Sequence, residues 1–277
     1  MGNVTEMVVA SDSRLGGGER WDACAKIFDI GRDDAVIAFA GNTWRALPLV
    51  FQAISTTRSY RGSALRTLDL PQFARHLENI LNVVLEEAKG TIASNPPECE
   101  FMLAGWSWRL GAFRIYRFTF DEGQWRFNVN AAPQKLPNAL KGKGRGSLLA
   151  TIGDGGRSLV GAMARDYNKG ILAGPLDYRP LEYLHAQTMD KSVDSVGGPV
   201  QVAKVYRSIR VEYFAVRTSS SLTVSGRPVL PYENLDLRAI ERDDESGQWI
   251  TGPGTAQIPA AQAALAQLEE AADPSVG

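Results

Sequence analysis

The apolar positions of this chain change period several times, and each change marks an element. Val4 to Ser11 is rich in β-branched residues and reads as a strand, which Gly16-Gly17-Gly18 breaks. Lys26–Ile30 and Ala35–Gly41 are short apolar runs on either side of Gly31-Arg32-Asp33-Asp34, the pattern of a hairpin. Trp44, Leu47, Phe51 and Ile54 then recur at helical spacing, with Asn42 or Thr43 as N-cap and Pro48 early in the helix. Phe73, Leu77, Ile80, Leu81, Val84, Leu85 and Ala88 form a longer helical face, opened by Asp69 and Pro71 and closed by Gly90.

A β block follows. Cys99–Ala104, Ala112–Phe120 and Gln124–Ala131 read as strands, with Asp121-Glu122-Gly123 as a hairpin turn, and Leu148–Ile152 as a further short strand. Arg157–Lys169 is expected to be a helix ending at Gly170, and Pro180 opens another that carries Leu181, Leu184 and Thr188. Val200–Tyr206 and Ile209–Arg217 form a closing hairpin, and the signal thins after Thr218. Long antiparallel strands thus alternate with pairs of helices, unlike a βαβ repeat. The expected fold is α+β, a four-layer αββα sandwich of two stacked antiparallel sheets with a helix pair on each outer face. Residues 1–217 make that domain. Residues 218–250 are a wrapping extension, and residues 251–277 are a hinge and an Ala-rich segment, either docked helix or mobile tail.

Composition narrows the chemistry. The 277 residues carry a formal net charge of -1, so no basic excess points to nucleic acid. Lys141, Lys143 and Arg145 read as a solvated loop; "KGKGRGS" lacks P-loop spacing, and "GDGG" lacks the full dinucleotide fingerprint. Cys24 and Cys99 give neither a disulfide framework nor zinc-ligand spacing, and the two histidines, His76 and His185, form no catalytic motif. No cofactor or metal is expected. No apolar run reaches the ~18–20 residues of a membrane span, so no membrane partner is expected and the chain reads as cytoplasmic. The aromatics from Trp106 to Phe127 read as core and sheet packing.

The motifs "VVASDSR", Lys26 in its strand, "AFAG" before a helix, "TIGDGG" opening a helix, and "SVGGPVQVAKV", in this order from Val4 to Arg217, resemble proteasome β-type subunits. The wider group is the N-terminal nucleophile hydrolases, and bacterial proteasome-like proteins share the pattern. The resemblance implies a threonine-type peptide or amide hydrolase that assembles with itself, in a ring, with no cofactor. The family's nucleophile is the first residue of the mature chain, and its α-amine (pKa ~7.7–8.0) acts as base. By motif match, Lys26 takes the position that lowers the nucleophile's pKa and Asp12 the position that holds the lysine. Gly41 stands at the oxyanion-binding N–H, and Asp154 replaces a serine that holds the amine.

The nucleophile is not identified. The family's first strand precedes the one containing Asp12, and here Met1 falls near the turn between them, roughly ten residues short. Thr5 would require cleavage after Val4, inside a strand. The family's second aspartate falls on Val193, with Asp190 and Asp194 out of register. The chain as given is therefore expected to be inactive, its first strand missing. The alternative is a catalytically inactive homologue that serves as a structural or regulatory subunit of an oligomer.

Overall fold

The computed structural model describes residues 5–16, 20–90, 94–132, 149–173, 176–243 and 245–255. The motifs from 141 to 147, and the Ala-rich segment from 259 to 272, lie outside the described residues. The strands are β1 Glu6–Ser11, β2 Ile27–Asp29, β3 Ala35–Gly41, β4 Cys99–Ser107, β5 Ala112–Asp121, β6 Arg126–Ala132, β7 Gln201–Tyr206, β8 Arg210–Thr218, β9 Ser221–Val224, β10 Arg227–Pro228, β11 Arg238–Arg242 and β12 Trp249–Thr255. The described helices are α1 Thr43–Ser59, α2 Arg61–Ala64, α3 Leu70–Glu86, α4 Asp154–Asn168 and α5 Arg179–Met189.

The fold is α+β with two sheets. A five-stranded antiparallel sheet runs β2-β3-β4-β5-β6. A seven-stranded sheet follows the path β1-β7-β8-β11-β12, with β9 and β10 branching from β8. Side chains alternate along each strand, so each sheet has two faces to cover. Met7, Val9, Ala203 and Val205 of one sheet pack with Val36, Ala38, Met102 and Ala104 of the other. The opposite face of the five-stranded sheet, Ile37, Phe39, Phe101 and Leu103, packs on α1 and α3. Beyond the seven-stranded sheet, Leu181 of α5 packs on Val200, Val202 and Phe214, and α4 packs on α5 through Leu159, Met163 and the partly buried Tyr183.

The helix termini follow their local chemistry. Pro71 stands in the first turn of α3, and the Asp69 backbone N–H donates to Gln72 Oε1 at 3.2 Å. The hairpin turn between β2 and β3 buries an ion pair: Arg32 Nη2 donates to Asp34 Oδ2 at 2.7 Å.

Several expectations require correction. Of the α1 face drawn through Trp44, Leu47, Phe51 and Ile54, Leu47 and Ile54 pack against the core, but Trp44 and Phe51 are turned outward, 79% and 58% exposed. The inward stripe is Ala46, Leu49, Val50 and Ala53, smaller residues that let the helix lie close to the sheet. Leu149–Ile152 is irregular rather than a strand. It joins neither ladder, because Leu149 packs on Leu159 and Met163 while Ala150 and Ile152 meet the inter-sheet cluster. The seven-stranded sheet is not wholly antiparallel, since β11 pairs with β8 in parallel from Ala239↔Ala215 to Glu241↔Arg217. The chain after Thr218 continues that sheet through β9, β11 and β12, and part of the expected hinge, through Thr255, is β12.

Candidate functional site

Asp12 and Lys26 sit where β1 ends and β2 begins, on different sheets. Lys26 Nζ donates to Asp12 Oδ1 at 2.8 Å, and the two side chains are 10% and 11% exposed. Such burial of a charge is tolerated because the remaining lone pairs are used. Asp12 Oδ2 accepts from the Gly197 N–H at 3.0 Å and the Arg14 N–H at 3.2 Å. Lys26 is held through its backbone as well: the Phe39 N–H donates to its carbonyl at 3.3 Å.

Gln201, at the start of β7, ties these pieces together. Its Nε2 donates to the carbonyls of Asp12 at 3.0 Å and Cys24 at 2.7 Å, and its Oε1 accepts the Lys26 N–H at 3.1 Å. Sequence reasoning missed Gln201. The available signal was a polar residue inside the otherwise apolar run "PVQVA".

Glycines let the surrounding turns close. Gly198 has φ +69, and a side chain there would collide with the Asp22 carbonyl and Ser13 Oγ. Ser13 Oγ donates to that carbonyl at 2.9 Å, and Arg14 Nε pairs with Asp22 Oδ1 at 2.6 Å. The hydrogen bond from Arg14 holds the Asp22 carboxyl below its ordinary range. Gly41, two residues beyond Phe39 on β3, has φ +96, and a Cβ there would strike the Glu98 carbonyl. Gly153, at φ +76, packs on Ala40, which brings the first turn of α4, with Asp154, against the end of β3.

All four residues, Asp12, Lys26, Gly41 and Asp154, line one cavity of 1360 Å³. Asp154 is the first residue of α4, with Gly153 as the N-cap. The cavity follows β1 and reaches both the inter-sheet cluster, at Met102 and Ala104, and the helix layer, at Leu159 and Leu181. Thr5 also lines it, but at the opposite end of β1, about 23 Å of extended chain from Asp12 at ~3.3 Å per residue. Neither Asp190 nor Asp194 bonds Lys26: Asp190 accepts from the Ser192 N–H at 2.9 Å, and Asp194, which lines the same cavity, pairs with Arg20. Cys24 lies in the same turn as Lys26, and burial pushes its thiol up. His185 packs edge-on to Trp249, with ring centroids 5.4 Å apart. Among the described residues no group of His, Cys, Asp and Glu could hold a metal ion. Among them also, no helix is long and apolar enough to cross a membrane.

No family model and no curated protein matches this chain. Among solved structures it is similar to "Anbu (ancestral beta-subunit) from Yersinia bercovieri", with a TM-score of 0.52 and 18% identity over 76% of this chain and 83% of that one. A likeness at that identity shows a proteasome-like fold and a distant relationship in structure. Membership of the proteasome β-type or N-terminal nucleophile hydrolase family, expected from the motifs, is thereby corrected. The short motifs carry too few residues to place the chain in a family when no model of one matches.

Proposed function

We propose that this chain supplies the charge frame of a peptide- or amide-hydrolysing site, with Lys26 as its electrostatic centre. The observation that carries this reading is the buried Lys26–Asp12 pair at the end of a cavity that Gly41 and Asp154 also line. A lysine held rigidly in a poorly hydrated site favours the ionised form of a neighbouring hydroxyl or thiol. In this reading Gly41 contributes a backbone N–H to a developing oxyanion, and Asp154 holds an ammonium group. In this reading the nucleophile is a hydroxyl or thiol brought to Lys26; Asp12 is the hydrogen-bond partner of Lys26 Nζ, and Thr5 lies at the far end of β1. The packing contacts support a four-layer αββα order for the scaffold, and the neighbour's title of beta-subunit supports self-association.

A second reading is a non-catalytic subunit of an oligomer. It is favoured by the engagement of the Lys26 Nζ with Asp12. The test is turnover of fluorogenic peptides, by the chain starting at Met1 and by forms extended upstream where the coding sequence allows. The first reading expects turnover only in a form that brings a hydroxyl or thiol to Lys26, with loss on Lys26→Ala. Absence of turnover from every form favours the subunit reading, and turnover that survives Lys26→Ala overturns the assigned role.

A further inference from the structure

Leu181 alone among the residues of α5 is fully buried. An element with so little buried surface belongs to the low-stability end of a fold. C-terminal to Leu184, its side-chain contacts include His185 on Trp249, and Gln187 Nε2, which donates to the Gly155 carbonyl at 3.3 Å. Trp249 belongs to β12, which lies beyond Arg217 and so outside the stretch that carries the motifs. β12 also holds the other end of the helix. The Tyr178 and Thr251 hydroxyls lie 2.8 Å apart, and Lys204 Nζ donates to the same Thr251 oxygen at 2.9 Å. From Tyr178 to His185 is about 10 Å of helix at ~1.5 Å per residue, and from Thr251 back to Trp249 is about 7 Å of strand. α5 thus runs antiparallel along β12. Hydrogen bonds tie its N-cap, and an imidazole edge-on to an indole ties its last turns.

The surroundings of that imidazole suit only its neutral form. Residues opposite one another in a ladder share a face. Arg242 is the register partner of Trp249, so a guanidinium stands on the same side as His185. The carboxylates around it are already taken. On α5, Glu182 accepts from Arg179 Nη1 at 2.8 and 3.1 Å, and Asp190 accepts from the Ser192 N–H. On α4, Asp166 accepts from the Tyr183 hydroxyl. On the sheet, Glu6 pairs with Lys204 and Glu212 with Arg238, while Glu241 pairs with Arg217. Asp243, in the turn before β12, accepts from the Glu245 and Ser246 N–H groups. Trp249 Nε1 is buried with no hydrogen-bond partner among the described residues, a donor where an imidazolium needs an acceptor. The C-terminal end of a helix favours a cation. Burial and the Arg242 charge outweigh that and hold the His185 imidazole below its ordinary value.

We propose that the end of α5, from His185 to Met189, is a proton-released flap on the cavity: protonation of His185 breaks its contact with Trp249 and draws Gln187 away from Gly155. Leu181, Leu184 and Gln187 of α5 line the cavity, and Gly155 follows Asp154 in the first turn of α4. Release therefore frees the cavity wall beside α4. In the released state the imidazole meets water and takes its proton near pH 6.5. The closed state is fully favoured above that value and loses ground as pH falls through it toward the lower, closed-state value. The flap concerns access to the cavity and does not rest on the hydrolytic reading; Lys26→Ala, which tests that reading, leaves it intact.

The test uses the whole chain, whose two histidines, His76 and His185, give separate imidazole signals in NMR. His185 is expected to titrate below about pH 6.5; a midpoint at or above that value overturns the proposal. Amide protection at Ala186–Met189, corrected for the intrinsic exchange rate, is expected to fall about fivefold or more between about pH 7.5 and pH 5, while the amides of α3 keep theirs. Unchanged protection at Ala186–Met189 overturns the flap. His185→Phe keeps an aromatic ring on Trp249 and takes no proton, so its protection holds across this range. An equal loss in that variant overturns His185 as the trigger. His185→Lys carries the charge at both pH values and is expected to be open at both; full protection in that variant, with a retained thermal transition, also overturns the proposal. Arg242→Gln removes the facing cation, so it raises the His185 midpoint and shrinks the loss of protection. An unmoved midpoint overturns the part assigned to Arg242.

Discussion

Gln201 clamps Lys26 from behind: its Oε1 accepts the Lys26 backbone N–H at 3.1 Å, while its Nε2 reaches the carbonyls on both sides of the charge pair. One side chain thus satisfies three backbone groups, at the residue after β1 and in the turn before β2. Gln201→Ala leaves those groups without partners, each a desolvated loss. The expected cost is about 2–4 kcal/mol in urea unfolding, with faster alkylation of Cys24 as the turn loosens. A variant as stable as the parent would mean that the clamp carries no energy.

The Arg32–Asp34 pair gives a sharper electrostatic test. Its side chains are 0% and 1% exposed, and Arg32 also donates to the Ser63 and Leu68 carbonyls and lies 4.3 Å from the Phe73 ring centroid. Arg32→Met strands the Asp34 carboxylate in the core, and about 3–5 kcal/mol of stability is expected to be lost. Adding Asp34→Ala removes the stranded charge. The double variant should therefore lose less than the sum of the two single ones, as read from a double-mutant cycle.

Part of the acid sensitivity should lie at Glu212. Hydrogen bonds from Arg238 and Tyr206 hold its carboxyl below the ordinary range against the opposing effect of burial. The unfolded chain then takes up the proton first as pH falls. The stability this residue contributes is complete above the unfolded pKa, about 4.3, and is lost as pH falls through the folded value. Glu212→Gln is expected to flatten the stability–pH curve below about pH 4.5 and to leave its slope near neutrality unchanged. Melting temperatures of both proteins between pH 3 and 7 check this; parallel curves would refute it.

Gly41→Ala should be costly beyond its size. The backbone there has φ +96, and the added methyl would meet the Glu98 carbonyl, a rigid group with no rotamer to move. A loss of about 2–4 kcal/mol is expected, against about 1 kcal/mol or less for Gly111→Ala, where φ is +57 but nothing lies within 4 Å. Comparable losses in calorimetry would remove the collision argument.

Residues whose role is local were legible in the sequence. The β2–β3 hairpin, the capped start of α3 and the glycine turns all follow from neighbours in the chain. Asp12 and Lys26 were named from short motifs, and their contact joins two separate elements. What failed depended on distant partners. Trp44 and Phe51 have helical spacing, but only the sheet beneath decides that Ala46 and Ala53 face it. β12 holds two glycines and a proline and becomes a strand because β11 offers an edge to pair with. Gln201 reads as an ordinary strand residue until Asp12, Cys24 and Lys26 are seen around it.

The pairing of β1 with β7 has a consequence for synthesis on the ribosome. The five-stranded sheet is complete within Ile27–Ala132, and its ladders join strands that are sequence neighbours. β1 has no such neighbour: Glu6 pairs with Tyr206 and Ser11 with Gln201. At about 5–20 residues per second, β1 waits roughly 10–40 s for its partner to emerge. One half of the molecule can thus settle while the other is still being translated, and β1 is secured only after the five-stranded sheet is complete. Slow codons or nascent-chain arrest before β7 would extend the period in which β1 is open on both edges.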